Sequence, residues 1–225
     1  MPRVSIIVPT YNGGKLIERA LKSISSQTFQ DFEVIVVDDA STDSTKEKVQ
    51  SFVRRDPRFQ LIILTQNSGG GAVPRTTGCK LAQGEFVAFL DQDDLYLPEY
   101  LERKVAYFDA HPEINFLSSL TWTFDEDDKN KSIINCEYGG PLNTMVRREV
   151  LERTGYFKAS QTNADDMGMW YRYLKVYGAK MNTTVSDEPL TLYARHIGQE
   201  SHTSNRDPHI FINRIDSVLG EIRED

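Results

Sequence analysis

Along its first hundred positions the chain gathers its apolar residues into short blocks. Phe86 to Leu90 is unbroken; Val4 to Val8, stopped by Pro9, Phe32 to Val37 and Phe59 to Leu64 each hold a single polar residue in second place. Near-continuous runs of five or six residues of this kind fit strands buried on both faces, where no polar side is needed. The intervals between them have a different period. Leu16, Ile17, Ala20, Leu21 and Ile24 recur at helical spacing within Lys15–Ser26. Ser41-Thr42-Asp43 stands where a helix reaching to about Val53 needs its cap, and Asn67-Ser68-Gly69-Gly70-Gly71 turns into a helix over roughly Val73 to Ala82. Strands spaced by helices predict right-handed crossovers and a mostly parallel sheet covered on both faces, a Rossmann-like α/β/α sandwich.

After a helix predicted from Pro98 to about Ala110, the pattern loosens. Asn115–Phe124 alternates like a strand of a mixed sheet, and Leu142–Val146 reads as another, followed by a short helix from Arg147 or Arg148 to Arg153. Asp165 to Tyr177 has helical spacing and many aromatics. Met181–Val185 and Leu190–Tyr193 read as two late strands and His209–Ile222 as a closing amphipathic helix, while the charged Asp125–Lys131 run is a solvated hairpin tip or loop. No repeat or linker interrupts the chain, so residues 1–225 are expected to form one domain with a change of character near position 97.

The chemistry concentrates where the buried strands stop. Phe86–Leu90 ends in Asp91-Gln92-Asp93-Asp94. Carboxylates so placed repel one another and lose solvation unless a positive charge is shared among them. A hard divalent cation, Mg²⁺ or Mn²⁺, fills that role through one or two carboxylates with water and phosphate oxygens completing its shell. Asp94 is expected to cap the helix that follows. The second strand ends in Asp38-Asp39, where a carboxylate can accept from a ribose hydroxyl or a base N–H. Tyr11 offers a flat face to a nucleobase, and Arg75, behind a glycine turn, can pair a diphosphate. In parallel sheets ligands gather beyond the carboxyl ends of strands, so the loops 9–14, 38–43, 67–74 and 91–94 should share one rim.

Composition narrows the partners. A formal charge of −7 over 225 residues opposes nucleic acid or an anionic membrane as the main partner. Cys79 and Cys136 have no metal-ligand spacing and read as two reduced thiols of a cytoplasmic protein. No apolar run reaches membrane-spanning length, and the N-terminus runs directly into a strand rather than a signal peptide, which leaves peripheral attachment at the inner face of a membrane as the expected form of membrane contact.

Taken in order, VSIIVPTYN, FEVIVVDDASTDST, GEFVAFLDQDD and the acidic pair of ADDMGMW at 164–170 resemble the family 2 glycosyltransferases of GT-A fold, from Val4 to about Ser201. That resemblance implies an inverting, metal-dependent transfer from a nucleoside-diphosphate sugar, commonly a UDP-sugar, to a saccharide, lipid-linked or other hydroxyl acceptor in cell-surface polysaccharide synthesis. It implies a nucleotide-binding half over about 1–97 and an acceptor-binding half over about 98–225. Pro9, Thr10 and Tyr11 would line the nucleotide pocket, with Asp39 on the nucleoside and Arg75 near the diphosphate. Asp91-Gln92-Asp93 matches the DxD motif: Asp93 the direct metal ligand, Asp91 near the ribose or the metal's waters. Asp166 matches the catalytic base, with Asp165 and Trp170 beside it, and Tyr193-Ala194-Arg195-His196 resembles a late stretch whose Arg195 and His196 can close over the diphosphate. The chain departs from the family's pattern at Thr76, Gly168 and Ala194. A dinucleotide site would need GxGxxG after the first strand, a dehalogenase-like phosphatase its DxD on the first strand, and a nucleotidyltransferase a basic glycine loop; the residues supply none of these. The alternative within the fold is a nucleotide-sugar-binding module without catalysis.

Overall fold

The computed structural model describes residues 1–125, 133–135, 141–158, 165–177 and 182–195. The four apolar blocks form its parallel strands: β1 (Val4–Thr10), β2 (Phe32–Asp38), β3 (Phe59–Ile63) and β4 (Phe86–Phe89). β1 lies between β2 and β4, with β3 outside β2, all parallel. Every residue of β1 and β2 is buried, which is why these stretches carry no polar face. The alternation of side chains divides the core. Val4, Ile6 and Val8 meet Ile17, Ala20, Leu21 and Ile24 of α1 (Ile17–Ser25) together with Val49 and Phe52 of α2 (Thr45–Arg55). Ile7, Ile35, Val37 and Phe89 point the other way, towards Cys79 of α3 (Ala72–Leu81). Helix α3 comes so near β1 that a Cβ on Gly78 would stand 2.5 Å from Ile7 Cγ2, so a side chain there has no room.

The remaining elements are β5 (Leu95–Tyr96), α4 (Tyr100–Ala110), β6 (Phe116–Asp125), β7 (Ile133–Asn135), β8 (Thr144–Arg147), α5 (Arg148–Thr154), α6 (Asp165–Tyr177) and β9 (Asn182–Arg195). Among the described residues the sheet runs β3-β2-β1-β4-β8-β6-β9-β5, with β7 on β6. β8 is antiparallel to both β4 and β6, β9 is parallel to β6, and β5 is antiparallel to β9. The mixed character expected beyond position 97 is therefore present.

Three expectations change. The two late strands are one, β9, because irregular pairing between Ser118 and Thr121 absorbs the interruption around Pro189, which has no N–H to give the ladder. Two short strands, β5 and β7, escaped the apolar pattern, having two and three residues. Asp94 does not cap α4, whose N-cap position is Glu99; it is buried, and its N–H donates to the Asp91 carbonyl within the turn. Of the expected Asp125–Lys131 loop, Asp125 instead ends β6; its remainder, the predicted helix 209–222 and Cys136 lie outside the described residues.

Buried polar groups join the two halves. Gln27 donates to the Ser23 and Leu97 carbonyls and accepts from the Leu101 N–H, fixing the chain just after the acidic turn. The Tyr96 hydroxyl donates to the Phe89 carbonyl at 2.6 Å, its ring stacks on Tyr100 at 3.8 Å, and the Tyr100 hydroxyl donates to the Thr144 carbonyl. Lys104, fully buried, donates to the carbonyls of Asn143 and Leu117. Burial pushes the Lys104 ammonium well below its ordinary pKa and the Tyr96 phenol well above its own.

Candidate active site

The loops that leave the parallel strands meet through side chains. Gln92 Oε1 accepts from Thr10 Oγ1 at 2.6 Å and from the Tyr11 N–H at 3.0 Å, while its Nε2 donates to the Tyr11 carbonyl at 3.3 Å. The middle residue of the acidic turn therefore holds the loop after β1, and Tyr11 stays 45 % exposed. Asn12, in left-handed backbone (φ 48°), receives the Thr42 N–H on Oδ1 and donates its own N–H to Ser41 Oγ. The Gly14 N–H donates to Asp43 Oδ2. Burial raises the Asp43 pKa, but hydrogen bonds from the Thr45 hydroxyl and N–H and from Gly14 outweigh it, so the carboxyl sits below its usual range and stays charged. Two loops from adjacent strands are thus locked before any ligand arrives.

Asp39 is almost wholly buried. Its carboxylate accepts from the Ser68 N–H at 3.0 Å, Ser68 Oγ at 2.9 Å and Asn67 Nδ2 at 3.1 Å. It grips the glycine turn that opens α3. At the other end of that turn Gly71 leaves space for Arg75 to fold back; a Cβ there would meet Arg75 Nη1 at 2.5 Å. Arg75 Nη2 pairs with Asp91 Oδ1 at 2.6 Å, and its guanidinium lies 5.8 Å from the centre of the Phe157 ring. Arg19 Nη2 donates to the Asp93 carbonyl at 2.8 Å, fixing the last part of the acidic turn from α1.

The three acids after β4 do not converge as a protein-only cage, and no group of three or more His, Cys, Asp or Glu able to hold a metal occurs among the described residues. Asp94 is turned into the core, and one oxygen of Asp91 is taken by Arg75. The half-buried Asp93 and the partly exposed Asp91 are the carboxylates of this turn that lie outside the core and together offer only oxygen donors. That set suits a hard cation which draws its other ligands from water and phosphate.

Of the residues singled out in the sequence, Thr10, Tyr11 and Gln92 come together, as do Arg75 and Asp91; Pro9 sits in β1 opposite Val37. Asp165, Asp166 and Trp170 fall on α6, the two acids in its first turn, and Arg195 ends β9; the side chains of these four lie outside what the structure describes, as does His196 altogether. The sequence pattern marks Asn67 and Ser68 only as part of a glycine-rich turn and gives no role to Arg19, Gln27 or Phe157.

Comparison with known proteins bears on the family and the fold. The family described as Glycosyl transferase family 2 matches residues 5–172. The Campylobacter jejuni GalNAc(5)-diNAcBac-PP-undecaprenol beta-1,3-glucosyltransferase is 45 % identical over 166 residues, 68 % of this chain and 54 % of that protein. The structure of S. aureus TarS 1-349 in complex with UDP superimposes with a TM-score of 0.73 at 29 % identity, covering 87 % of this chain and 61 % of that one. The mannosyltransferase PcManGT from Pyrobaculum calidifontis, in complex with GDP-Man and Mn2+, gives 0.65 at 27 % identity over 86 % and 56 %. The chain thus spans between half and two thirds of the length of these three proteins.

Proposed function

The chain belongs to glycosyl transferase family 2 and has the GT-A fold, and on that premise we propose that it transfers a sugar from a UDP-sugar to a hydroxyl acceptor with inversion at the anomeric carbon. The observation that carries the reading is the Gln92 bridge. It joins the loop after β1 to the acidic turn after β4, so that Tyr11, Arg75, Asp91 and Asp93 stand on one preassembled rim.

On this reading Tyr11 stacks on the base, with Pro9 and Thr10 lining the pocket, and Asp39 reads the nucleoside through its own oxygens or through the Asn67-Ser68 segment it holds. Arg75 exchanges part of its pairing with Asp91 for the diphosphate, a planar fork meeting two phosphate oxygens. Asp93 and the second oxygen of Asp91 would hold Mn²⁺ or Mg²⁺. That ion supplies Lewis-acid neutralisation of the charge that grows on the departing diphosphate. Asp166, at the start of α6 with Asp165 and Trp170 nearby in sequence, takes the proton of the acceptor hydroxyl as it attacks opposite the leaving group. Arg195 and His196, at and beyond the end of β9, close over the diphosphate.

The UDP of the TarS complex supports the donor, and the beta linkage in the name of the Campylobacter relative is what inversion of an α-linked donor yields. The undecaprenol in that name supports a lipid-linked glycan as acceptor and work at a membrane face; no helix among the described residues is long and apolar enough to cross a membrane. The test is turnover across a set of UDP-sugars with wild type and Asp166→Asn. The variant should lose transfer and keep UDP binding; undiminished turnover removes Asp166 from the role, and a wild type inert towards every donor removes the reading.

A further inference from the structure

Just after α5 the described chain, residues 155–158, is irregular, and carbonyls there are claimed by two helices. It leaves α5 at Gly155 with φ +83°. Arg172 of α6 donates from Nε to the Thr154 carbonyl at 3.2 Å and from Nη2 to the Tyr156 carbonyl at 2.6 Å. Thr76 of α3 donates from Oγ1 to the Phe157 carbonyl at 2.7 Å. Three of four consecutive carbonyls, in a stretch without a sheet ladder, are therefore satisfied by side chains of two different helices.

The same segment touches the donor site. The Phe157 ring lies edge-on to Phe89 at 5.2 Å, two residues before Asp91, and faces the Arg75 guanidinium. Met169 and Tyr173 of α6 are buried in one cluster with Phe89 and Phe157. Thr76 is the next residue after Arg75, so the hydroxyl that holds the segment and the guanidinium that pairs Asp91 ride on one turn of α3.

We infer that Thr76 and Arg172 are positioning residues. By gripping 154–157 from two helices they set α6, and with it the first turn that bears Asp165 and Asp166, relative to Arg75 and the acidic turn. The catalytic meaning of that placement rests on the function proposed above; the mechanical link does not. A threonine at position 76 serves because its hydroxyl reaches the carbonyl, and a side chain of equal shape without a donor leaves that acceptor unsatisfied.

The test uses the full chain with Thr76→Val, Thr76→Ser, Arg172→Met and the Thr76→Val/Arg172→Met double variant. Amide hydrogen exchange should rise selectively in 154–158 and 165–172 in both Thr76→Val and Arg172→Met, and Thr76→Ser should restore the wild-type pattern. In transfer assays kcat should fall by about tenfold in each single variant while the donor KM stays put, since misplacement acts on the reacting geometry and not on donor binding. The double variant should lose less than the product of the single losses, because both act on one segment. Unchanged exchange in 165–172, or exchange that rises evenly across the whole chain, overturns the link. A fall in kcat matched by an equal rise in KM, or no fall, overturns the positioning role. Should the wild type turn over no UDP-sugar, the function fails while the exchange data still decide the link.

Discussion

Gly13→Ala isolates the Gln92 bridge without touching a charge. The glycine is buried and its φ is not positive, so alanine meets no backbone penalty there; the obstacle is space. A Cβ at this position would stand 2.7 Å from Gln92 Cδ, closer still to Oε1, and 2.9 Å from Thr10 Oγ1. The far end of a glutamine can swing away, and when it does Gln92 Oε1 gives up both the Thr10 hydroxyl and the Tyr11 N–H. Each such bond is worth about 1 kcal/mol net, so the loop that presents Tyr11 loses about 2 kcal/mol of ordering. If nucleotide binding has to restore that order, the UDP dissociation constant rises by up to about 30-fold, at 1.4 kcal/mol per factor of ten. The assay is calorimetry on wild type, Gly13→Ala, Gln92→Ala and the double variant. Because alanine at 13 acts by displacing Gln92, the double variant should bind no more weakly than Gln92→Ala alone. Losses that add, or a Gly13→Ala protein that binds UDP like wild type, refute the bridge as the organiser of the loop.

Further outcomes follow from the packing. Gly84→Ala would bring a Cβ to 2.6 Å from the Ser5 N and 2.8 Å from the Val4 carbonyl carbon, backbone atoms of a central strand, so stability should fall by at least about 1–3 kcal/mol in urea unfolding; a midpoint unchanged from wild type contradicts the contact. Lys104 has a pKa pushed below its ordinary 10.5 by burial, so the unfolded chain binds its proton more readily than the folded one. Stability then rises with pH between the folded and the ordinary value, by up to about 1.4 kcal/mol per pH unit, and is least below the folded value. Lys104→Met should remove that contribution and flatten the rise of unfolding free energy as pH climbs towards 10.5 relative to wild type; equal slopes in the two proteins contradict it.

The parallel half of the fold was legible because it is buried on both faces, and a strand such as Phe32–Asp38 then has no competing pattern. The same physics hid the other half. β5 is too short to show a period, and β9 runs through Pro189 only because its pairing with β6 is irregular there, a tertiary fact. At the site, the charged residues that cluster after the strands were readable, and Arg75 does meet Asp91. Residues that act by holding a neighbour were not. Gln92 was legible as the middle of the Asp91-Gln92-Asp93 run, but its grip on Thr10 and Tyr11 spans about eighty positions, and nothing local marks Ser68 as a partner of Asp39 or Phe157 as a partner of Thr76. Asp94 misled because an acid before a helix usually caps it, whereas here the turn closes earlier, on Asp91.

The most direct test of the proposed donor site is calorimetric titration of UDP with and without Mn²⁺ on wild type and Asp93→Ala. Binding that requires the ion in the wild type and disappears in the variant is the predicted result. UDP binding that is indifferent to the ion, or that survives unchanged in Asp93→Ala, contradicts the assignment of the acidic turn as the place where cation and diphosphate meet.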